Sequence, residues 1–383
     1  MSEIHGVCDE RFVALSDILS GQLDSGGDLG ASVALTIDGE MVVDIWGGWA
    51  DHDKATPWEA DTITNVWSTT KTMTSLCALA LVERGELDVF APVTRYWPEF
   101  SANAKEHIEV RHLLAHTSGL AAWEKPVELD DLYDWDKSVA MLAAQAPWWE
   151  PGTASGYHSL SQGHLVGEVV RRITGRSLGR FFAEEIADPL GADFHIGLDP
   201  DHFDRVSNVV RPPPLPLDLG SVTGSDIISI KTFTGPLIDA AHSWRPEWRR
   251  AEIGAANGHG NARSVARIQS IVANGGELPG LRLLSPETIS LIFQEQANGV
   301  DLVLGVPLRF GIGYGLVNET VSHINRGRTD GNVCFWGGWG GSSVVIDVDR
   351  RMVFAYVMNK MVAGFLGNQT GKALAAAVYD IVE

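Results

Sequence analysis

Two β-hairpins, one near each end of the chain, constrain its fold more than any other feature. Residues 31–37 and 40–46 are β-prone runs separated by Asp38-Gly39, a pair suited to the positive dihedrals of a type I′ turn. Residues 343–346 and 352–357 flank the charged turn Asp347-Val348-Asp349-Arg350 in the same way. Each hairpin has a helical neighbour on its terminal side. Over residues 10–23, Phe12, Leu15, Ile18 and Leu19 recur at helical spacing; over 372–381, Leu374, Ala377, Val378 and Ile381 share one side. A helix that hides one face can cover a sheet, so the two ends are expected to build one antiparallel sheet flanked by terminal helices.

Between the ends, residues 101–257 are rich in Trp, Asp and helix formers and are expected to form a mainly helical insertion. The expected organisation is thus a discontinuous α/β sheet domain, 1–100 and 258–383, with a helical domain at 101–257. Arg211-Pro212-Pro213-Pro214-Leu215-Pro216 cannot be helix interior or central strand and should be an extended loop. Its spacing also fits a PxxP ligand, though prolines in an ordered connection are the commoner case. No internal repeat is evident.

Composition narrows the partners. The 383 residues carry 49 acidic against 29 basic side chains, a net charge of −20 that repels phosphate backbones and anionic lipid surfaces. A nucleic-acid partner is not expected, and no apolar run approaches the roughly 18 residues of a membrane span. The first residues, Met1-Ser2-Glu3-Ile4-His5-Gly6, lack the basic and apolar regions of a secretory signal, so a cytoplasmic location is expected. Cys8, Cys77 and Cys334 are odd in number and far apart, which indicates neither a disulfide framework nor a zinc knuckle. No metal or cofactor is expected.

Of the eight lysines, only Lys71 follows a serine by three residues, in Trp67-Ser68-Thr69-Thr70-Lys71. The apolar run 73–82 comes next and ends at Arg84-Gly85, so Ser68 should lie at the N-terminus of a buried helix. Residues three apart on a helix share a face, which brings the Ser68 hydroxyl within reach of the Lys71 amine. Burial lowers a lysine's pKa and lets it act as a base near neutral pH, and the helix N-terminus favours negative charge near Ser68. By chance alone a chain of this length holds roughly one Ser-x-x-Lys, and the bland alternative is a helix cap beside an exposed lysine. The surrounding segments supply the rest. Tyr157, in Ser155-Gly156-Tyr157-His158-Ser159, sits at a loop-to-helix corner after Trp149-Glu150-Pro151-Gly152. Phe335-Trp336-Gly337-Gly338-Trp339-Gly340-Gly341-Ser342 places four glycines beside a strand, where backbone N–H groups can approach a ligand and an oxyanion hole could be built.

With these segments in view, the chain resembles the family VIII carboxylesterases, relatives of class C β-lactamases and penicillin-binding proteins, over nearly its whole length. Ser68-Thr69-Thr70-Lys71 is similar to that family's Ser-x-x-Lys, Tyr157-His158-Ser159 to its Tyr-x-Asn/Ser element, and Trp336-Gly337-Gly338 to the Trp-Gly-Gly of the esterases. Leu113-Leu114-Ala115-His116-Thr117-Ser118-Gly119-Leu120 and Asn257-Gly258-His259-Gly260 are also similar to segments of the group. The resemblance implies a β-lactamase-like α/β (α+β) fold and a serine hydrolase of neutral carboxylic esters. Ser68 would be the nucleophile, Lys71 its base and Tyr157 the proton relay, with an oxyanion hole from the backbone of Ser68 and Trp339. Trp336, Gly337, Gly338, Ser159 and His259 would line the substrate site. Where β-lactamases carry Lys-Thr-Gly, Trp336 replaces a cation with an apolar indole, which disfavours anionic substrates. A second Trp-Gly-Gly, at 339–341, leaves two registers for this correspondence.

Other patterns have plainer explanations. Gly175-Arg176-Ser177-Leu178-Gly179 matches the nucleophile elbow of α/β-hydrolases, but a helix precedes it; Gly175 is better placed as a C-cap and Ser177 as the next N-cap. His112 and His116 lack the intervening glutamate of a zinc protease, and Lys231-Thr232-Phe233-Thr234-Gly235 and Gly367-Asn368-Gln369-Thr370-Gly371-Lys372 have the wrong spacing for Lys-Thr-Gly and a phosphate loop. Competing functions are a transacylase using the same residues, a β-lactamase or D-amino peptidase, and a non-catalytic scaffold of the same fold.

Overall fold

The structure, a computed structural model, describes residues 2–214, 226–321, 324, 327–365 and 367–382. Its largest sheet has nine antiparallel strands among the described residues. In spatial order they are Ile4–Cys8, Glu40–Gly48, Gly30–Ile37, Met352–Met358, Ser343–Asp347, Val333–Gly337, Gly315–Leu316, Pro307–Phe310 and Ala297–Val300. The two expected hairpins are present and meet at the centre, where Met352–Met358 pairs with Gly30–Ile37. Asp38 and Gly39 both have positive φ, 51° and 81°, as the first turn requires.

Side-chain alternation shows that both faces are covered. Ser32 and Thr36 point one way, to the backbone of Ala262 and the hydroxyl of Ser270 in the helix Ala262–Ala273. Tyr356, paired with Val33, points the other way, to Asp28 and Asn368 beside the C-terminal helix Gln369–Val382. That helix packs with the N-terminal helix Val13–Ser25. Because the central strand is covered twice, all seven of its residues, MVFAYVM, are buried, and it shows no polar alternation.

The helix Thr70–Glu83 is buried all round from Thr70 to Leu81, the pattern of a helix inside a core. On one side it meets the helices Ser161–Thr174 and Leu178–Phe182; on another, its Met73 sulfur accepts from Gln269 of the sheet-covering helix. Among the described residues between 101 and 257, the named elements are helices apart from two short strands. Phe194–His195 and Val206–Ser207 join Ile63–Asn65 and His259–Gly260 in a small four-stranded sheet. Strands of two residues leave no periodicity to detect. Residues 211–214 carry neither helix nor strand, while Leu215 and Pro216 of the expected loop lie outside the described residues. Among the described residues no helix is long and apolar enough to cross a membrane.

Candidate active site

Ser68 lies in the turn that leads into the helix Thr70–Glu83, two residues before its first helical residue. The preceding Trp67 has φ 50°, a left-handed conformation that costs a bulky residue about 1–3 kcal/mol. Its indole is held on two sides, by Trp248 at 5.6 Å and Trp339 at 5.0 Å between ring centroids. Packing thus maintains a strained backbone next to the serine.

The sequence places Lys71 one turn beyond Ser68, and its Nζ lies 3.1 Å from Ser68 Oγ. The same Nζ donates to the backbone carbonyls of Ser159 at 2.7 Å and Ala255 at 2.9 Å. Only 2 % of Lys71 is exposed, and this burial holds its pKa well below the ordinary lysine range. Tyr157, from the loop before the helix Ser161–Thr174, donates its hydroxyl to Ser68 Oγ at 2.6 Å. Its ring lies over Lys71 Nζ at 4.7 Å, and burial pushes its pKa up, which keeps the phenol protonated. The structure therefore brings Ser68, Lys71 and Tyr157 to one point from two segments 89 residues apart.

Several residues that sequence reasoning did not single out hold Tyr157 in place. Asp301 is fully buried, and its Oδ1 accepts from the backbone N–H of Tyr157 at 3.0 Å and of Val303 and Leu304 at 2.9 Å. The His116 ring meets Tyr157 edge-on at 5.0 Å, and its Nδ1 accepts from the His158 N–H. His158 in turn lies between Ser118 Oγ and Gly156 O. Burial lowers both histidines' pKa, so they pack as neutral rings rather than as cations. The segment around His116 was a visible signal. Asp301 had none, because only the fold brings its loop to Tyr157.

Trp336 lies on the strand Val333–Gly337, and its ring packs against Tyr157 at 5.4 Å, Phe310 at 5.4 Å and His116 at 5.9 Å. This wall of the site is aromatic and uncharged. Gly338 follows, where a Cβ would stand 2.2 Å from the Val66 carbonyl oxygen, so only glycine lets this strand end approach the segment that carries Ser68. In the next turn the N–H groups of Gly338, Gly340 and Gly341 donate to Ser342 O, Gly364 O and Gly338 O. Those of Thr69, Thr70 and Lys71 donate to Val66 O, Trp67 O and Ser68 O. The Ser68 and Trp339 N–H groups are left without such a bond among the described residues.

Two of the expected substrate-site residues have other partners. Ser159 meets Lys71 through its backbone carbonyl rather than through its hydroxyl. His259 does not line the site: it is fully buried in the small sheet, with Nδ1 on Asn257 O, and a residue with 0 % exposure cannot touch a substrate. The cause is its strand, which pairs between Ile63–Asn65 and Phe194–His195. The other patterns resolve as local structure. Gly175 is a left-handed C-cap, and Ser177 caps the next helix through the Arg180 N–H. His112 accepts from the Glu109 N–H in a capping box.

A Ser-x-x-Lys pair joined by a tyrosine, between a large antiparallel sheet and a helical layer, matches a known family model: the beta-lactamase model covers residues 15–378. The chain belongs to the beta-lactamase family. Among its relatives, the esterase/beta-lactamase LipL of Mycobacterium tuberculosis is 33% identical over 386 residues, spanning 95% of this chain and 86% of that protein. The crystal structure of a family VIII carboxylesterase superposes with a TM-score of 0.92 at 39% identity, covering 99% of this chain and 100% of that one. A penicillin-binding protein homologue from Caulobacter crescentus superposes with a TM-score of 0.91 at 36% identity, covering 99% and 100%. The beta-lactamase-like fold expected from the motifs is thus the fold observed, and the resemblance to family VIII carboxylesterases stands on these matches.

Proposed function

We propose that this beta-lactamase family member is a serine carboxylesterase that cleaves small to medium neutral esters through an acyl-serine intermediate. The observation that carries this reading is the set of partners around Lys71 Nζ. Two of the three are backbone carbonyls, which can only accept; the third is the Ser68 hydroxyl, which can also donate. A neutral amine has two N–H groups and one lone pair. With the N–H groups on Ser159 O and Ala255 O, the lone pair faces Ser68. Burial favours that neutral form, so Lys71 is arranged to receive the serine proton.

The chemistry then follows in two half-reactions. Ser68 Oγ attacks the ester carbonyl while its proton passes to Lys71, and the tetrahedral oxyanion is held by the N–H groups of Ser68 and Trp339. Collapse breaks the bond to the alkoxy oxygen. Tyr157 gives its hydroxyl proton to the departing alcohol and is reprotonated from the Lys71 ammonium. Water attacks the acyl-serine as its proton passes through Tyr157 to Lys71; the bond between Ser68 Oγ and the acyl carbon then breaks, Oγ takes the proton back from the Lys71 ammonium, and the carboxylic acid leaves. Trp336 and its aromatic neighbours form an uncharged wall, which suits neutral esters better than anionic lactams or peptide C-termini. The relatives whose names mention esterase or carboxylesterase support the same reading.

The test combines turnover of p-nitrophenyl butyrate with fluorophosphonate labelling followed by mass spectrometry. Labelling at Ser68 and turnover that vanishes in Ser68→Ala are expected. A chain that neither turns over nor labels is a scaffold, and acyl product found only on an added alcohol makes it a transacylase.

A further inference from the structure

The two N–H groups assigned to the oxyanion belong to segments 271 residues apart, and one hydroxyl ties these segments together. Ser342 is 2 % exposed, and its Oγ donates to the Val66 carbonyl at 2.8 Å. That carbonyl can only accept, so the single Ser342 proton is used there. Thr69 Oγ1, fully buried and 3.0 Å from Ser342 Oγ, must then be the donor in the second contact. Val66 and Thr69 bracket Trp67 and Ser68. On its own side, the Ser342 carbonyl accepts from the Gly338 N–H at 2.8 Å, which closes the turn that presents Trp339. Ser342 therefore grips the nucleophile segment on both sides of Ser68 through its side chain, and the Trp339 turn through its backbone.

Other features of the same contact agree. A Cβ at Gly338 would lie 2.4 Å from Ser342 Oγ as well as 2.2 Å from Val66 O, so the absent side chain makes room for this bridge. The Trp67 and Trp339 rings meet edge-on at 5.0 Å and brace the same two segments from outside. Its hydroxyl is committed to Val66 O and Thr69 Oγ1, so the role assigned here asks no substrate contact of Ser342.

We propose that Ser342, with Thr69 as its partner, is a positioning residue for the oxyanion hole: the hydroxyl bridge sets the separation between the Ser68 and Trp339 N–H groups. This inference rests on the esterase reading of the same site. Donors aimed at a developing oxyanion lose their value when displaced, because the stabilisation is specific to the transition state; removing one outright costs roughly 10²–10³ in kcat. Loosening both without removing either should cost less, about 10- to 100-fold.

The experiment compares Ser342→Ala, Thr69→Val and Thr69→Ser with the wild-type chain. Thr69→Val is nearly isosteric and removes only the donor, so it serves if Ser342→Ala does not fold; Thr69→Ser keeps the donor. Kinetics on p-nitrophenyl butyrate, the inhibition constant for phenylboronic acid, which forms a tetrahedral anion on the serine, and thermal melting are read for each. Expected are a kcat lower by about 10- to 100-fold in Ser342→Ala and Thr69→Val, a KM within about threefold, and boronate affinity weakened in parallel with kcat. Thr69→Ser should retain kcat within about threefold. The proposal is overturned if the two disabling variants keep wild-type kcat, or if kcat falls while boronate affinity stays unchanged. Fluorophosphonate labelling separates the two levels. A wild-type chain that does not label at Ser68 defeats the esterase reading itself, whereas a chain that labels and turns over with indifferent variants defeats only the bridge.

Discussion

Replacing Lys71 by methionine, an unbranched side chain of similar length without the charge, should make stability respond to pH in a way that exposes the state of the buried amine. In the folded chain burial lowers the Lys71 pKa, whereas in the unfolded chain it returns to the ordinary value near 10.5. Between those two values the unfolded state binds one more proton than the folded state, so wild-type stability rises with pH. The slope is at most about 1.4 kcal/mol per pH unit, and each unit of depression costs the folded state about that much at pH values below the folded pKa. Lys71→Met removes this penalty. It also deprives Ser159 O and Ala255 O of their donor, a loss of about 1–3 kcal/mol for each buried group that does not depend on pH. The carbonyls therefore set the offset between the two proteins, and the amine alone sets the slope. Urea unfolding of both at intervals from pH 6 to pH 10 gives the difference directly. Wild type should gain on the variant as pH rises, beginning at the inflection where its own kcat/KM climbs to a plateau, while Lys71→Met has no measurable esterase activity. Two stability curves that run parallel across the range would mean that Lys71 is charged in the folded chain, and the base mechanism would fall with that result.

Three further outcomes follow from single contacts. Tyr157→Phe keeps the ring against His116, Trp336 and Lys71 but loses the bond to Ser68 Oγ; kcat should drop about 10²–10⁴-fold, with stability changed by about 1 kcal/mol, as read by steady-state kinetics and melting. Asp301→Ala leaves three N–H groups without their acceptor, two of them buried, including that of Tyr157. It should destabilise the chain by about 3 kcal/mol or more in urea unfolding and lower kcat through a displaced Tyr157. Burial pushes the Cys77 and Cys334 thiols up, so both should resist Ellman's reagent in the native chain and react only after denaturation, as followed by absorbance.

How legible each part was depends on whether its cause is local. The Asp38-Gly39 turn, the amphipathic terminal helices and the helix that buries Lys71 follow from neighbours in sequence, and the structure has them within a few residues of where periodicity placed them. The strand Ile4–Cys8 was not foreseen, because an edge strand with three exposed residues out of five shows no alternation that distinguishes it from a tail. The small sheet failed for a related reason, and it took His259 with it: the glycines on either side suggested a turn open to the pocket, whereas pairing on both edges closed the residue in. Ser68 and Lys71 were readable because one helical turn joins them. Tyr157 was readable only through its resemblance to a family element, since nothing in residues 155–159 alone tells a relay from a packed aromatic.

The least legible residues are those whose work is to hold distant segments in register. Asp301 reaches Tyr157 across 144 residues, and Ser342 reaches Val66 across 276. Asp301 lies in no motif and Ser342 only closes the Gly-rich segment; both reach backbone groups, and a backbone group has no identity to read in a sequence. A nucleophile and its base can be encoded three residues apart, but an oxyanion hole needs donors that converge on one oxygen from different directions. Convergence of that kind has to come from separate strands and turns, and the contacts that enforce it are necessarily long-range. In this chain Ser68 and Lys71 are therefore written locally, while Tyr157 and the buried Asp301 and Ser342 come into place only with the completed fold.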